Sequence, residues 1–111
     1  VRLIGIDTPE VYGGVECGGR KASRSLKRML PRGTRVRLVS DPTQDRVDRY
    51  GRLLRYVTKV KTGRDVNRAQ VWRGHATVYV YNGDPFKRVR GYRKAQRQAN
   101  THDRGIWDLC I

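Results

Sequence analysis

Three observations predict an α+β domain. Residues 34–39 alternate polar and apolar, with Val36 and Leu38 on one side and Arg35 and Arg37 on the other, the pattern of a half-buried strand. Residues 21–30 and 86–100 instead repeat their apolar positions every three or four residues, as an amphipathic helix does. Strands come early and the longest helix late, with one helix inserted between strands. That order suits α+β better than regular βα alternation.

The elements follow in order. Val1–Ile6 reads as a strand ended by Thr8-Pro9, and Val11–Gly19 as a glycine-rich loop. Lys21–Leu30 is helical, with Ala22, Leu26, Met29 and Leu30 on one face and Lys and Arg on the other; Pro31 and Gly33 stop it. Thr34–Val39 and Leu53–Val60 are strands. Between them Ser40–Arg52 is a polar excursion that ends in Tyr50-Gly51-Arg52. Asp65 can cap a short helix over Val66–Arg73, closed by Gly74. The last helix, Phe86–Asn100, carries Phe86, Val89, Tyr92, Gln96 and Ala99 at near-helical spacing.

At 111 residues the chain is expected to be a single domain over 1–111, with 37% hydrophobic residues enough for one core. No apolar run approaches the roughly 18–20 residues of a membrane-spanning helix, and no signal-peptide pattern opens the sequence. The charge says more. Twenty-five Lys and Arg against ten Asp and Glu give +15, a field that concentrates polyanions, nucleic acid first among them. The plainer alternative is charge that serves solubility alone.

Cys17 and Cys110 form no CxxC pair, and His75 and His102 lack zinc-site spacing, so no structural metal is expected. The histidines read as surface or structural residues. The two cysteines are either buried thiols or one long-range disulfide, and the loosely anchored tail around Cys110 argues for the bridge. A disulfide implies an oxidising compartment, and hence secretion.

Three segments carry candidate chemistry. Arg2 with Asp7-Thr8-Pro9-Glu10 places two carboxylates three residues apart at a strand end, where they can share a hard cation or divide into ligand and base. The same spacing also fits a helix capping box. In Asp48-Arg49-Tyr50-Gly51-Arg52, Gly51 permits a tight turn that delivers Arg52 to a strand. Arg52 paired with Arg2 would make a two-guanidinium clamp for a phosphate; alone, the segment is an ordinary solvated hairpin. In Val78-Tyr79-Val80-Tyr81 both tyrosines lie on one side of an extended segment. They form a stacking platform for bases if exposed, and core if buried.

VRLIGIDTPE, a helix containing KAS, DRYGRLLRYV, DVNRAQVWRGHATVYVY and a terminal helix followed by GIW occur in that order. This resembles the staphylococcal nuclease family across essentially the whole chain. The resemblance implies an OB-fold-type five-stranded barrel with three helices, and Ca²⁺-dependent cleavage of DNA and RNA to 3′-phosphate ends. It makes Asp7 a Ca²⁺ ligand through its carboxylate and Thr8 through its carbonyl. Glu10 becomes the general base or the group that orients the attacking water, and Arg2 and Arg52 hold the scissile phosphate. Arg49 (a lysine in the family pattern) and Tyr50 fall where a neighbouring phosphate is contacted. Tyr79 and Tyr81 fall in a nucleoside pocket with Leu54 on its wall. ECGG and WDLC look like the disulfide-bearing secreted members, which pairs Cys17 with Cys110. A monomer that prefers single strands and has no membrane partner is expected; the rival is a non-catalytic binding module of the same fold.

Two departures stand out. The family carries a further Ca²⁺-ligating aspartate in a DGDT-like segment upstream of VRLIGIDTPE. This sequence starts at what looks like the third barrel strand, so that aspartate and two strands are expected to be missing from it. Gln70 stands where the family has a large apolar residue, which predicts different local packing.

Overall fold

The computed structural model describes residues 1–11, 14 and 16–110, so part of the loop expected over 11–19 lies outside the described residues. The elements run β1 (Arg2–Leu3), β2 (Ile6–Asp7), α1 (Gly19–Met29), β3 (Val36–Val39), β4 (Leu54–Lys59), α2 (Val66–Trp72), β5 (Thr77–Val78), α3 (Val89–Thr101) and α4 (Ile106–Leu109). A single 3₁₀ turn, Tyr81–Gly83, lies between β5 and α3. The α+β class holds. The closed five-stranded barrel does not appear among the described residues, and the helices number four instead of three because the GIW segment winds its own short turn.

Two small sheets replace the barrel. One has the order β1-β4-β3, with β1 parallel and β3 antiparallel to β4; the other pairs β2 antiparallel to β5. The strand expected over Val1–Ile6 is therefore broken. Gly5 adopts φ +80°, and a Cβ there would come within 2.5 Å of the Phe86 ring. The chain can bend from one sheet to the other only because that residue has no side chain. Asn67, fully buried on α2, fastens the break: its amide donates to the Ile4 carbonyl (3.0 Å) and the Arg55 carbonyl (3.2 Å), and its oxygen accepts the Val57 N–H (3.1 Å).

The main core gathers Ile4, Ile6, Tyr56, Val71, Ala76, Phe86, Val89, Tyr92 and Ala95 between the sheets and α3. Tyr92 meets Phe86 and Tyr56 edge-on, at 5.1 and 6.1 Å between centroids. Its hydroxyl donates to Asp65 (2.7 Å), which also accepts the Arg68 N–H as the cap of α2. Burial and the Asp65 carboxylate hold the Tyr92 phenol far above its ordinary range. A second cluster of Met29, Val57 and Val66 lies under α1. Between these helices Gln70, only 2% exposed, accepts from the Ser25 hydroxyl (2.8 Å) and donates to the Ala22 carbonyl (3.1 Å). The polar residue in an apolar place is thus satisfied on both sides, a clasp between α1 and α2.

One expectation for β3 fails. Val36 and Leu38 were to be the covered side of a half-buried strand, yet they are 38% and 43% exposed. Leu38 pairs with Val57 across the sheet, so the two share a face. α1 packs on Val57 through its own cluster and leaves the β3 end of that face open.

Cys17 and Cys110 form a disulfide that ties the approach to α1 to the turn after α4. Of the two alternatives open for these cysteines, the bridge is the one observed.

Candidate active site

Parallel pairing of β1 with β4 sets the site. The register places Arg2 beside Leu54, and Arg52 lies two residues before Leu54, on the same side by the strand period. The backbone N–H of Arg2 donates to the Leu53 carbonyl at 2.7 Å, which locks that register. Both arginines, with Leu54, therefore line one cleft of about 610 Å³. Its other walls include Asp7 at the end of β2 and Tyr79 and Tyr81 beyond β5, with Asp48, Arg49 and Tyr50 on the turn ahead of β4. The tyrosines are exposed, at 44% and 53%, and are not core. β5 is held from α3, where the Gln96 carboxamide accepts the Val78 N–H at 2.6 Å.

The turn at 48–52 is built on Asp48. Its Oδ1 accepts the N–H groups of Tyr50 and Arg52, both at 2.9 Å, while Gly51 takes φ +79°. Oδ2 accepts Arg52 Nε at 2.7 Å. Partial desolvation would raise the Asp48 carboxyl, but the Arg52 N–H, the guanidinium and the Tyr50 N–H outweigh it and hold it below the ordinary aspartate range. The guanidinium carbons of Arg49 and Arg52 lie 5.0 and 5.4 Å from the Tyr50 ring centre, within cation–π range.

The carboxylates of the first segment divide. No helix follows Asp7 directly, since α1 begins only at Gly19; a capping box is excluded. Asp7 sits on the wall between the cleft and a smaller recess of about 240 Å³, which Thr8 lines with Glu16, Cys17 and Cys110. Glu10 lines neither cavity and is exposed. Its backbone is clamped instead: its N–H donates to Glu16 Oε1 (2.8 Å), and its carbonyl accepts the Glu16 N–H (2.9 Å). Glu16, Gln44 and Asp45 were not named from sequence as site residues, and Asp48 was named only as the first residue of the glycine turn, without a role of its own.

The calcium site implied by the resemblance is not complete in these residues. Asp7 offers a carboxylate and Thr8 a carbonyl, two oxygens against the six to eight that Ca²⁺ takes. Among the described residues no three Asp, Glu, His or Cys side chains converge on one point.

The model of the staphylococcal nuclease homologue family matches residues 1–109. The chain belongs to the staphylococcal nuclease homologue family. A similar protein is the SPbeta prophage-derived endonuclease YokF of Bacillus subtilis (strain 168), 34% identical over an alignment that covers 96% of this chain. The chain spans 36% of that protein's length. For a nuclease homologue, the shared cleft of Arg2, Arg52, Asp7 and two exposed tyrosines is the feature to explain.

Proposed function

We propose that this chain is a sugar-nonspecific endonuclease domain that hydrolyses phosphodiesters of DNA and RNA. The observation that carries the reading is the convergence of Arg2 and Arg52 on one cleft with Asp7. Two guanidiniums on one phosphate hold it in place and stabilise the charge that grows on its oxygens as phosphorus becomes five-coordinate. Water attacks phosphorus, the bond to the 5′-oxygen breaks and that oxygen takes a proton from solvent, so that the products carry a 3′-phosphate and a 5′-hydroxyl. Glu10, three residues beyond Asp7, takes the proton of the water or orients it, which requires its exposed side chain to turn in toward the cleft. Tyr79 and Tyr81 stack on an unpaired base with Leu54 beside them, and Arg49 and Tyr50 meet the next phosphate.

Calcium belongs to this proposal as a requirement. Asp7 and the Thr8 carbonyl would be two of its oxygens, with water and substrate phosphate among the rest, so the chain without substrate should bind it weakly. When bound, the ion would draw charge from a phosphate oxygen. Secretion fits the disulfide, and a monomer suffices for the cleft.

A second reading, a nucleic-acid-binding module without catalysis, is favoured by the position of Glu10 outside the cleft and by the incomplete metal site. One experiment separates the two. End-group analysis of labelled DNA and RNA oligonucleotides, incubated with Ca²⁺ or with EDTA, should give 3′-phosphate products with Ca²⁺ alone. Binding without cleavage in both conditions would establish the second reading.

A further inference from the structure

The two oxygens of Asp48 do different jobs. Oδ1 closes the turn by accepting the Tyr50 and Arg52 N–H groups, and Oδ2 accepts Arg52 Nε at 2.7 Å. The side chain of Asp48 is only 15% exposed, whereas that of Arg52 is 50% exposed and borders the cleft. Among the described residues the two terminal nitrogens of Arg52 have no hydrogen-bond partner; the carboxylate engages Nε alone. The Tyr50 ring, 5.4 Å from the guanidinium carbon, limits its swing on another side.

We propose that Asp48 is a positioning residue for Arg52: it fixes the guanidinium through Nε so that the two terminal N–H groups are presented together to a phosphate in the cleft. The inference rests on the phosphate-binding role given to Arg52 above. A long, half-exposed arginine has several rotamers, and the work of holding one of them falls to a carboxylate that is itself anchored in a turn. Electrostatics alone argues the other way. A carboxylate beside the phosphate site subtracts positive charge, so its presence needs a geometric reason.

That conflict of sign makes the test sharp. Asp48→Asn keeps an oxygen for the two turn N–H groups, offers Nε no second acceptor, and raises the net charge by one. If Asp48 aims Arg52, Asp48→Asn should lower kcat by on the order of 10- to 100-fold, the cost of a misplaced catalytic contact. KM should stay level or fall, and the melting temperature should stay near that of the wild type. In an Arg52→Ala background the same substitution should do nothing further, since the group it aims is gone.

A second measurement needs no turnover. The Arg52 Nε–H should exchange slowly with solvent in wild type and at least about tenfold faster in Asp48→Asn, as expected on loss of a charge-assisted hydrogen bond. Unchanged kcat in Asp48→Asn, beside an inactive Arg52→Ala, would overturn the positioning role and leave the nuclease reading intact. Additive losses in the double variant, or equal Nε–H exchange in the two proteins, would also overturn it. Wild-type cleavage by Arg52→Ala would overturn both readings at once.

Discussion

Asp65 serves two elements at once: its Oδ1 accepts the Arg68 N–H and caps α2, and its Oδ2 accepts the Tyr92 hydroxyl of α3. His75 offers a test. Burial first, then the charges of Arg73, Lys21 and Arg28, hold its imidazole below the ordinary value. The unfolded chain therefore takes up a proton near pH 6.5 while the folded chain does not. Stability from this source is complete above that pH and is lost as pH falls toward the lowered folded value. The melting temperature of wild type should thus drop more between pH 7 and pH 5 than that of His75→Gln. Parallel curves for the two proteins would show that His75 is not held neutral by the fold.

At the scale of elements, the helices were the readable part and the strands less so. α1, α2 and α3 each carry their stop, cap or apolar stripe within a few residues of themselves, and they lie within a few residues of their expected bounds. The first strand was read as continuous because what breaks it is distant: the Phe86 ring against Gly5. Gly5→Ala should therefore destabilise the fold by about 1–3 kcal/mol or more, through positive φ and the displaced ring, in a denaturant titration. Alternation in β3 told which residues share a face, but nothing local says what covers that face. Of the cleft, Arg2, Asp7, Arg52, Tyr79 and Tyr81 were named from sequence, whereas Glu10 and Thr8, named with them, do not line it. The Asp48 grip and the Glu16 clamp were not legible, since both are pairings that form only once the chain has turned. The disulfide offers a test of its own. It closes a loop of 93 positions and has Glu16, the clamp on Glu10, as its neighbour. Reduction should lower the melting temperature by several degrees, given roughly 4 kcal/mol for a loop of this size. An unchanged melting temperature would mean that the packing of α4 anchors the tail unaided.

For the whole molecule, charge and cleft have separate consequences. Among the described residues only Arg52 and Arg88 are ion-paired with carboxylates, so the large excess of Lys and Arg is open to a polyanion. Binding to nucleic acid in EDTA should weaken steeply with salt and vary little with sequence. Tyr81→Ala should cost single-stranded binding more than duplex binding, because stacking needs an unpaired base. Equal losses on both forms, by fluorescence anisotropy, would show that Tyr81 does not stack on bases. The proposed chemistry requires that one cleft hold the phosphate between Arg2 and Arg52 while it is hydrolysed. The most direct measurement is the single-turnover cleavage rate of a labelled single-stranded oligonucleotide in Ca²⁺, at saturating enzyme, for wild type, Arg2→Ala and Arg52→Ala. Each alanine variant should bind the oligonucleotide nearly as well as wild type yet cleave it at least about 100-fold more slowly, as expected for loss of a transition-state contact. Cleavage at the wild-type rate by either variant would contradict it.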